Sequence, residues 1–390
     1  MTPTVDERRI TLAVSLAGLA CFLLLYGTQP LLPQLSQTFA VSAATVSLSV
    51  TAGTGLMAVL LIPLSLIADR HGREKMMHAG LFGAAVCALL SAWAPDFYTL
   101  VATRAALGAC IASVPAAAMA HLSEELPAGQ RARAIGLYIG GNALGGMAGR
   151  LLSAAVSDAF DSWRAGLLAL GLLGLLSAFV FWKLLPPAQH FQARSLQPRA
   201  LWADVRKIYA DAGLPWLFCV AFVGMGCLVG LYNYLPFHLS LPPYELAPAL
   251  IGGIFLLYAL GSYASAWAGR QTARHGRQKI MLRMALLMTC GIAATLVAPL
   301  PGIVLGLALF TFGFFAVHSA ASAWVSHRAG TRRGLVAALY LSSYYLGGSV
   351  IGTASGWAWN HAAWPGVIGA MLACGVVVIL ITWRLRRLAE

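Results

Sequence analysis

Three groups of residues in this 390-residue chain could do chemistry. The first is a knot of charge, Asp69-Arg70-His71-Gly72-Arg73-Glu74-Lys75, joined by Glu124 and Arg131 further along. Residues 43–68 before the knot and 79–95 after it carry no charge. A carboxylate placed between two such runs seeks guanidinium groups or helix N-terminal amides. Asp69, Arg70, Arg73, Glu124 and Arg131 are therefore expected to form a cluster of ion pairs; the plainer alternative is a set of solvated loop charges.

The second group could carry protons. Arg104 lies in an apolar run, so its charge must face a polar cavity or a partner, or snorkel to the outer interface. His238 and His318 could titrate near neutral pH, although a lone histidine in a helix is also a common packing residue. The third group could bind a small molecule. Tyr26, Gln29, Tyr138, Asn142, Tyr232, Asn233, Tyr258, Tyr340 and Tyr344 fall at matched depths within apolar runs. Together they would line an amphipathic pocket without fixed negative charge, suited to a neutral or weakly anionic lipophilic molecule. Some could instead pack between helices or sit in interfacial belts. All 13 acids lie at termini, in loops or at helix ends. No catalytic Ser/His/Asp set, metal-ligand spacing or phosphate loop appears, so neither an enzyme, a metal nor a cofactor is expected.

The elements that must position these residues follow from composition. Charged residues make up 10% of the chain and apolar residues 59%, against about 25% charged in soluble domains. So little charge cannot cover a water-soluble surface, and the chain reads as an integral membrane protein. At about 20 apolar residues per crossing, the expectation is all-α with twelve transmembrane helices. They fall near 10–38, 43–68, 76–94, 97–122, 132–157, 164–185, 214–240, 247–270, 280–298, 301–326, 333–358 and 364–383. Residues 186–213 form a polar connection in which 200–211 are expected to make an amphipathic surface helix. The expected divisions are an N-terminal bundle of six helices (1–185), the connection (186–213) and a C-terminal bundle of six (214–390).

Net charge is +13, yet the basic residues are scattered through short loops, which argues against nucleic acid. Apart from Arg104, Arg150 and Arg164, every Lys and Arg lies in a tail or in an alternate connection, on one side of the twelve-helix plan. The positive-inside rule then puts both termini in the cytoplasm, with anionic membrane lipids as neighbours of the basic loops. The seven cysteines lie in apolar runs and read as small buried hydrophobes. The first apolar run lacks a small-residue cleavage site and is read as a retained span.

The chain also repeats itself. Pro33, the charged knot, Leu137-Tyr138, Gly145-Gly146 and Trp163 are answered by Pro236, Ala273-Arg274-His275-Gly276-Arg277-Gln278-Lys279, Leu339-Tyr340, Gly347-Gly348 and Trp364. The offset is about 200 residues in every case, the mark of a duplicated helical unit. Parallel repeats imply a pseudo-two-fold axis along the membrane normal, with a site where the halves meet.

Six plus six helices with Ser65-x-x-x-Asp69-Arg70-x-Gly72-Arg73 between the second and third resemble the major facilitator superfamily along essentially the whole chain. The family motif begins with Gly where Ser65 stands; the second copy has Gly269. Gln29-Pro30-Leu31-Leu32-Pro33 and Tyr344-Tyr345-x-Gly347-Gly348 are most similar to the acriflavine-sensitivity (YnfM-type) branch of its proton-linked efflux carriers. The resemblance implies alternating access by a monomeric inner-membrane antiporter, with protons exchanged for a small-molecule substrate. It also implies that Asp69 faces the start of the eleventh helix near Arg332-Arg333-Gly334, and that Asp69, Arg70, Arg73, Glu124 and Arg131 latch the outward-facing state. Leu100-x-x-x-Arg104-x-x-x-Gly108 matches the antiporter pattern of the fourth helix. The fifth departs from its pattern, with Asn142 where the family has Pro, although Gly145 and Gly146 still permit close helix packing. Gly108, Gly347 and Gly348 are read the same way. The alternatives are a facilitator or importer of a small metabolite such as a sugar or organic acid and, further off, a lipid flippase or a membrane enzyme.

Overall fold

The computed structural model describes residues 5–191, 198–297 and 299–388. Glu390 and Arg194, which counted among the expected tail and connection charges, lie outside them. Twelve long helices account for most of the chain: α1 (Asp6–Phe39), α2 (Ala43–His71), α3 (Arg73–Ala92), α4 (Phe97–Glu125), α5 (Ala128–Ala159), α6 (Trp163–Leu184), α7 (Leu214–Ser240), α8 (Pro248–His275), α9 (Arg277–Ala294), α10 (Leu300–Arg328), α11 (333–361) and α12 (364–384). Ala362 and Ala363 leave helical geometry (φ −145° and +45°) and divide α11 from α12. Among the described residues, nine helical stretches are long and apolar enough to cross a bilayer, and one of these contains both α11 and α12. Glycine-rich α5 and the shorter α9 are less apolar and complete the twelve.

The helices run past the apolar stretches that foretold them, so α4 reaches Glu125 and α8 reaches His275. Backbone hydrogen bonding does not stop at the edge of the hydrocarbon. The α2–α3 and α8–α9 corners turn at Gly72 (φ +107°) and Gly276 (φ +84°). A Cβ is strained in that region of backbone space, which explains why both copies of the charged loop have glycine there. The amphipathic helix spans Pro198–Tyr209, two residues short of the expected end.

Two compact units are present. Described residues within 5–40, 52–191 and 247–253 belong to the first; those within 41–51, 198–246 and 254–388 belong to the second. The segments 41–51 and 247–253 thus group apart from the bundles that hold their sequence neighbours. In the first unit α1 packs on α4, α5 and α6, and α3 on α4 and α6. In the second α7 packs on α10 and α11, and α9 on α10 and α12. The second set of pairings repeats the first at six helices' remove.

Glycines set these pairings. In α5, Gly141, Gly145 and Gly149 lie against the carbonyls of Ser15, Leu19 and Leu23 in α1, so a Cβ would meet backbone. The two series ascend together, so α1 and α5 run parallel. In the second unit Gly347 lies against the Phe222 carbonyl of α7, with Gly348 against Met225 and Val229. Gly108 of α4 meets the Gly53 carbonyl of α2 in the same manner. Gly146 instead faces Phe22, Tyr26 and the guanidinium of Arg150.

Candidate functional site

The first unit carries the expected charge cluster. Asp69 lies in the last turn of α2 and Arg73 begins α3, four residues apart around Gly72. The 5%-exposed Arg73 donates from Nε (3.2 Å) and Nη2 (2.8 Å) to Asp69 Oδ1, while its Nη1 reaches Glu124 Oε2 at the end of α4. Three of the five expected cluster residues therefore meet. Arg70 is exposed. Arg131 is exposed too and donates from Nε to the Leu126 carbonyl at 2.7 Å, so it closes its own loop instead of joining the cluster. Two carboxylates that sequence reasoning passed over hold the chain beyond α6: Glu74 accepts from Ala188 N (3.1 Å), and Glu125 from the backbone amides of Gln189 and His190 (3.1 and 2.9 Å).

Deeper in the same unit, α1 breaks. Its first segment ends at Tyr26, and a 3₁₀ turn at Gln29–Leu31 precedes a second segment. Such an end leaves carbonyls without helical partners. Arg104 of α4 supplies donors to two of them, Leu24 O at 3.0 Å and Leu25 O at 2.5 Å. It is 1% exposed, so the snorkelling alternative does not hold. A cation at a helix C-terminus also complements the helix dipole. Ser153 Oγ donates to Gly27 O at 2.5 Å. Arg150 donates from Nε to Gln29 Oε1 (2.7 Å) and from Nη1 to Gly146 O (2.8 Å), and lies 4.4 Å from the centre of the Tyr26 ring. Two buried arginines from α4 and α5 thus secure a discontinuity in α1, and Tyr26 and Gln29 belong to that arrangement. Tyr138 and Asn142 instead pack against α1 at Gly18.

The second unit carries the rings. Tyr232 of α7 donates to or accepts from Thr311 Oγ1 at 2.8 Å and meets Tyr258 of α8 at 5.1 Å between ring centres. The series continues through Phe315 (5.7 Å), Phe314 (5.2 Å) and His318 (6.2 Å) of α10, then Tyr344 (4.6 Å) and Tyr340 (5.6 Å) of α11, both against His318. The Tyr340 hydroxyl lies 3.0 Å from His318 Nδ1. Tyr258, Phe315, His318 and Tyr344 are half-buried, and Tyr232, Phe314 and Tyr340 lie buried behind them. Four of the expected pocket tyrosines and one of the expected histidines are therefore joined into one aromatic surface by phenylalanines of α10. Asn233 is fully buried within α7. His238 is not brought to this surface: it stacks on Trp364 at 4.7 Å.

A family model described as Major Facilitator Superfamily matches residues 14–353. The chain is 41% identical over 380 residues to the Inner membrane transport protein YnfM of Escherichia coli (strain K12), covering 97% of this chain and 91% of that protein. It is 36% identical over 380 residues to the uncharacterized MFS-type transporter YybF of Bacillus subtilis (strain 168), covering 97% and 94%. Among solved structures, a bacterial homologue of the human lysosomal transporter Spinster, in an inward-facing and occupied conformation, superposes with a TM-score of 0.82 at 17% identity, over 100% of this chain and 98% of that one.

Proposed function

The chain belongs to the major facilitator superfamily and is a multi-pass secondary transporter, not an enzyme; within that family we propose that it exports a small lipophilic or amphipathic molecule in exchange for inward-moving protons. The observation that carries the reading is the aromatic surface of the second unit. Half-buried Tyr258, Phe315, His318 and Tyr344 offer ring faces, hydroxyls and an imidazole, and all 13 acids of the chain lie at the ends of spans or outside them. That chemistry suits a neutral or weakly anionic lipophilic molecule better than a dication.

In this reading the six-helix bundles 1–185 and 214–390, joined by the connection 186–213, work by alternating access. Asp69, Arg73 and Glu124 latch the cytoplasmic side in the outward-facing state. His318, hydrogen-bonded to Tyr340, and Arg104 carry the coupling between proton and substrate. The distribution of Lys and Arg supports cytoplasmic termini, and the name of the Escherichia coli relative supports the inner membrane. The carrier is read as a monomer. The hydrogen-bonding pair Arg150–Gln29 favours a second reading, a facilitator or importer of a hydroxylated or acidic metabolite.

The test is flux in proteoliposomes with and without an imposed pH gradient, using neutral and anionic lipophilic dyes beside acriflavine. Gradient-driven movement that prefers the neutral or anionic dyes, and that is lost in Tyr344→Ala, is the expected result. Movement indifferent to the gradient would overturn proton exchange. Transport of sugars or organic acids with no dye movement would replace this reading by the second.

A further inference from the structure

The helix Pro198–Tyr209 has two unlike sides. Leu201, Asp204, Val205 and Ile208 recur at helical spacing, and all are half-buried or buried. The opposite side shows Trp202, Arg206, Lys207 and Tyr209, with Trp202 69% and Tyr209 52% exposed. The acids of this segment are taken up elsewhere. Asp204 accepts from Arg332 Nε at 2.6 Å, and Asp211 binds Arg328 through two hydrogen bonds of 2.9 Å. Arg328 ends α10, and Arg332 lies in the turn before α11. Among the described side chains of the helix, what remains outward is two positive charges flanked by two exposed aromatic rings.

The position of the helix narrows the partner. It ends at Tyr209, and the membrane span α7 begins at Leu214. Asp211 Oδ1 also accepts from the backbone amides of Gly213 and Leu214 at 2.8 Å, which fixes the corner between the helix and the span. The ring of Tyr209 lies edge-on to Phe218 of α7 at 5.9 Å. At the same end of the unit Trp216 carries the guanidinium of Arg384 at 4.5 Å, and Trp383 that of Arg386 at 3.9 Å. Tryptophan beside a basic side chain is the composition of a membrane–water boundary. A helix held against that boundary, with an aromatic and cationic outer side, meets headgroups before it meets a soluble protein.

We propose that the outer side of helix Pro198–Tyr209 binds the anionic headgroups of the adjacent leaflet, and that the pairs Asp204–Arg332 and Asp211–Arg328 transmit this contact to the α10–α11 turn. Anionic lipid then acts as a regulator of transport. That the leaflet is the cytoplasmic one rests on the topology proposed above. Each basic side chain near a charged bilayer contributes roughly a fivefold preference, so two give roughly 30-fold in all.

The experiment places a spin label at Ala203→Cys, on the outer side, in a full-length background with the seven native cysteines replaced. The protein is reconstituted in nanodiscs of phosphatidylcholine with or without phosphatidylglycerol. The label should move from water-exposed to headgroup-immobilised as the anionic lipid is added. R206Q/K207Q should weaken that response roughly 30-fold in lipid titration. An unchanged label in both lipids, or equal immobilisation in both, would overturn the proposal. So would immobilisation that needs an added acidic soluble protein. D204N/D211N should keep the label's lipid response yet abolish the lipid dependence of flux in proteoliposomes; flux that still follows the anionic lipid would refute the transmission. Both leaflets of the disc are identical, so these outcomes do not depend on topology. Labelling of the same cysteine from outside sealed, right-side-out vesicles tests topology separately.

Discussion

Arg73 is a single cation serving two carboxylates, and that arrangement makes a quantitative prediction. It is 5% exposed, while Asp69 and Glu124 are 26% and 21% exposed. A charge-assisted hydrogen bond contributes about 1.5–3 kcal/mol when well shielded, and partial exposure lowers this to about 1–2 kcal/mol for either carboxylate. Asp69→Asn and Glu124→Gln should therefore each destabilise by about that amount, because Arg73 keeps one counter-charge. The double variant strands a buried guanidinium, which costs about 3–5 kcal/mol. The double loss should thus exceed the sum of the single losses by about 1 kcal/mol. Adding Arg73→Gln to the double variant removes the stranded charge and should restore part of the stability.

Equilibrium unfolding in lipid micelles for the four variants, beside flux in proteoliposomes, reads both parts. Losses that add within about 0.5 kcal/mol, or a triple variant no better than the double, would show that Arg73 is not a shared node. In flux, Asp69→Asn should slow transport while expression stays intact. Wild-type rates in that variant would leave the cluster a purely structural device.

Two further predictions follow from local geometry. Gly145→Ala should destabilise by about 1–3 kcal/mol, the usual cost of overpacking, because its Cβ would meet the Leu19 carbonyl, while Gly140→Ala has open space and should be neutral or slightly stabilising; thermal unfolding of the two variants decides, and equal losses would refute the packing argument. Burial pushes the Asp211 carboxyl up, but its hydrogen bonds from Arg328 and from the backbone amides of Leu214 and Gly213 outweigh this and hold it below the usual range. A depressed folded-state value means that the contribution is complete above the unfolded value, about 3.9, and is lost as pH falls through the lower folded one. Unfolding profiles of wild type and Asp211→Asn should therefore run parallel from pH 7 to 5 and converge below about pH 4; convergence already at pH 6 would contradict the assignment.

Much of this fold was legible because a bilayer punishes ambiguity. Backbone polar groups must be satisfied within the helix, so each long apolar run can be only one element, and charges collect where the runs end. The Asp69–Arg73–Glu124 cluster followed from that logic. Arg131 escaped it because residue type and spacing do not say which way a side chain turns at a helix start, and the Leu126 carbonyl was nearer. The role of Arg104 was hidden for a different reason. Its partners are the Leu24 and Leu25 carbonyls, which become available only because α1 breaks, and no side chain announces a carbonyl. Arg150 left a clearer signal, a cation in an apolar run with Gln29 at similar depth. Polar side chains at matched depths pointed to Tyr232, Tyr258, Tyr340 and Tyr344 but not to Phe314 and Phe315, or to Phe310, whose ring lies 6.4 Å from that of Tyr232. Their density in α10 was the available sign that this helix supplies the surface on which those tyrosines rest.

The duplication clarifies why the two units differ in chemistry while agreeing in backbone. What repeats is geometry: Gly72 and Gly276 turn the corners, Gly145 and Gly347 admit a neighbouring carbonyl, and Trp163 and Trp364 begin equivalent helices. What does not repeat is charge. Arg277 answers Arg73, but its would-be partners are Ala273 and Ser326. At the spacing of the proline pair Gln29 is answered by Tyr232, and at that of the glycine pair Arg150 is answered by Gly352. The first unit therefore keeps the buried arginines and the Asp69–Arg73–Glu124 cluster, whereas the second pairs acids elsewhere, as Asp204–Arg332 and Asp211–Arg328, and keeps the aromatic surface. A division of labour follows. On the reading proposed above, the first half holds the latch and Arg104, and the second holds the aromatic surface for an apolar cargo together with His318. Grafting Asp and Glu at Ala273 and Ser326 would give Arg277 the partners that Arg73 has. If the Asp69–Arg73–Glu124 cluster is the latch, as proposed, this graft should stabilise the second unit and slow transport, because an added ionic node would have to break in every cycle. Faster or unchanged flux in that variant would place the rate-limiting opening elsewhere.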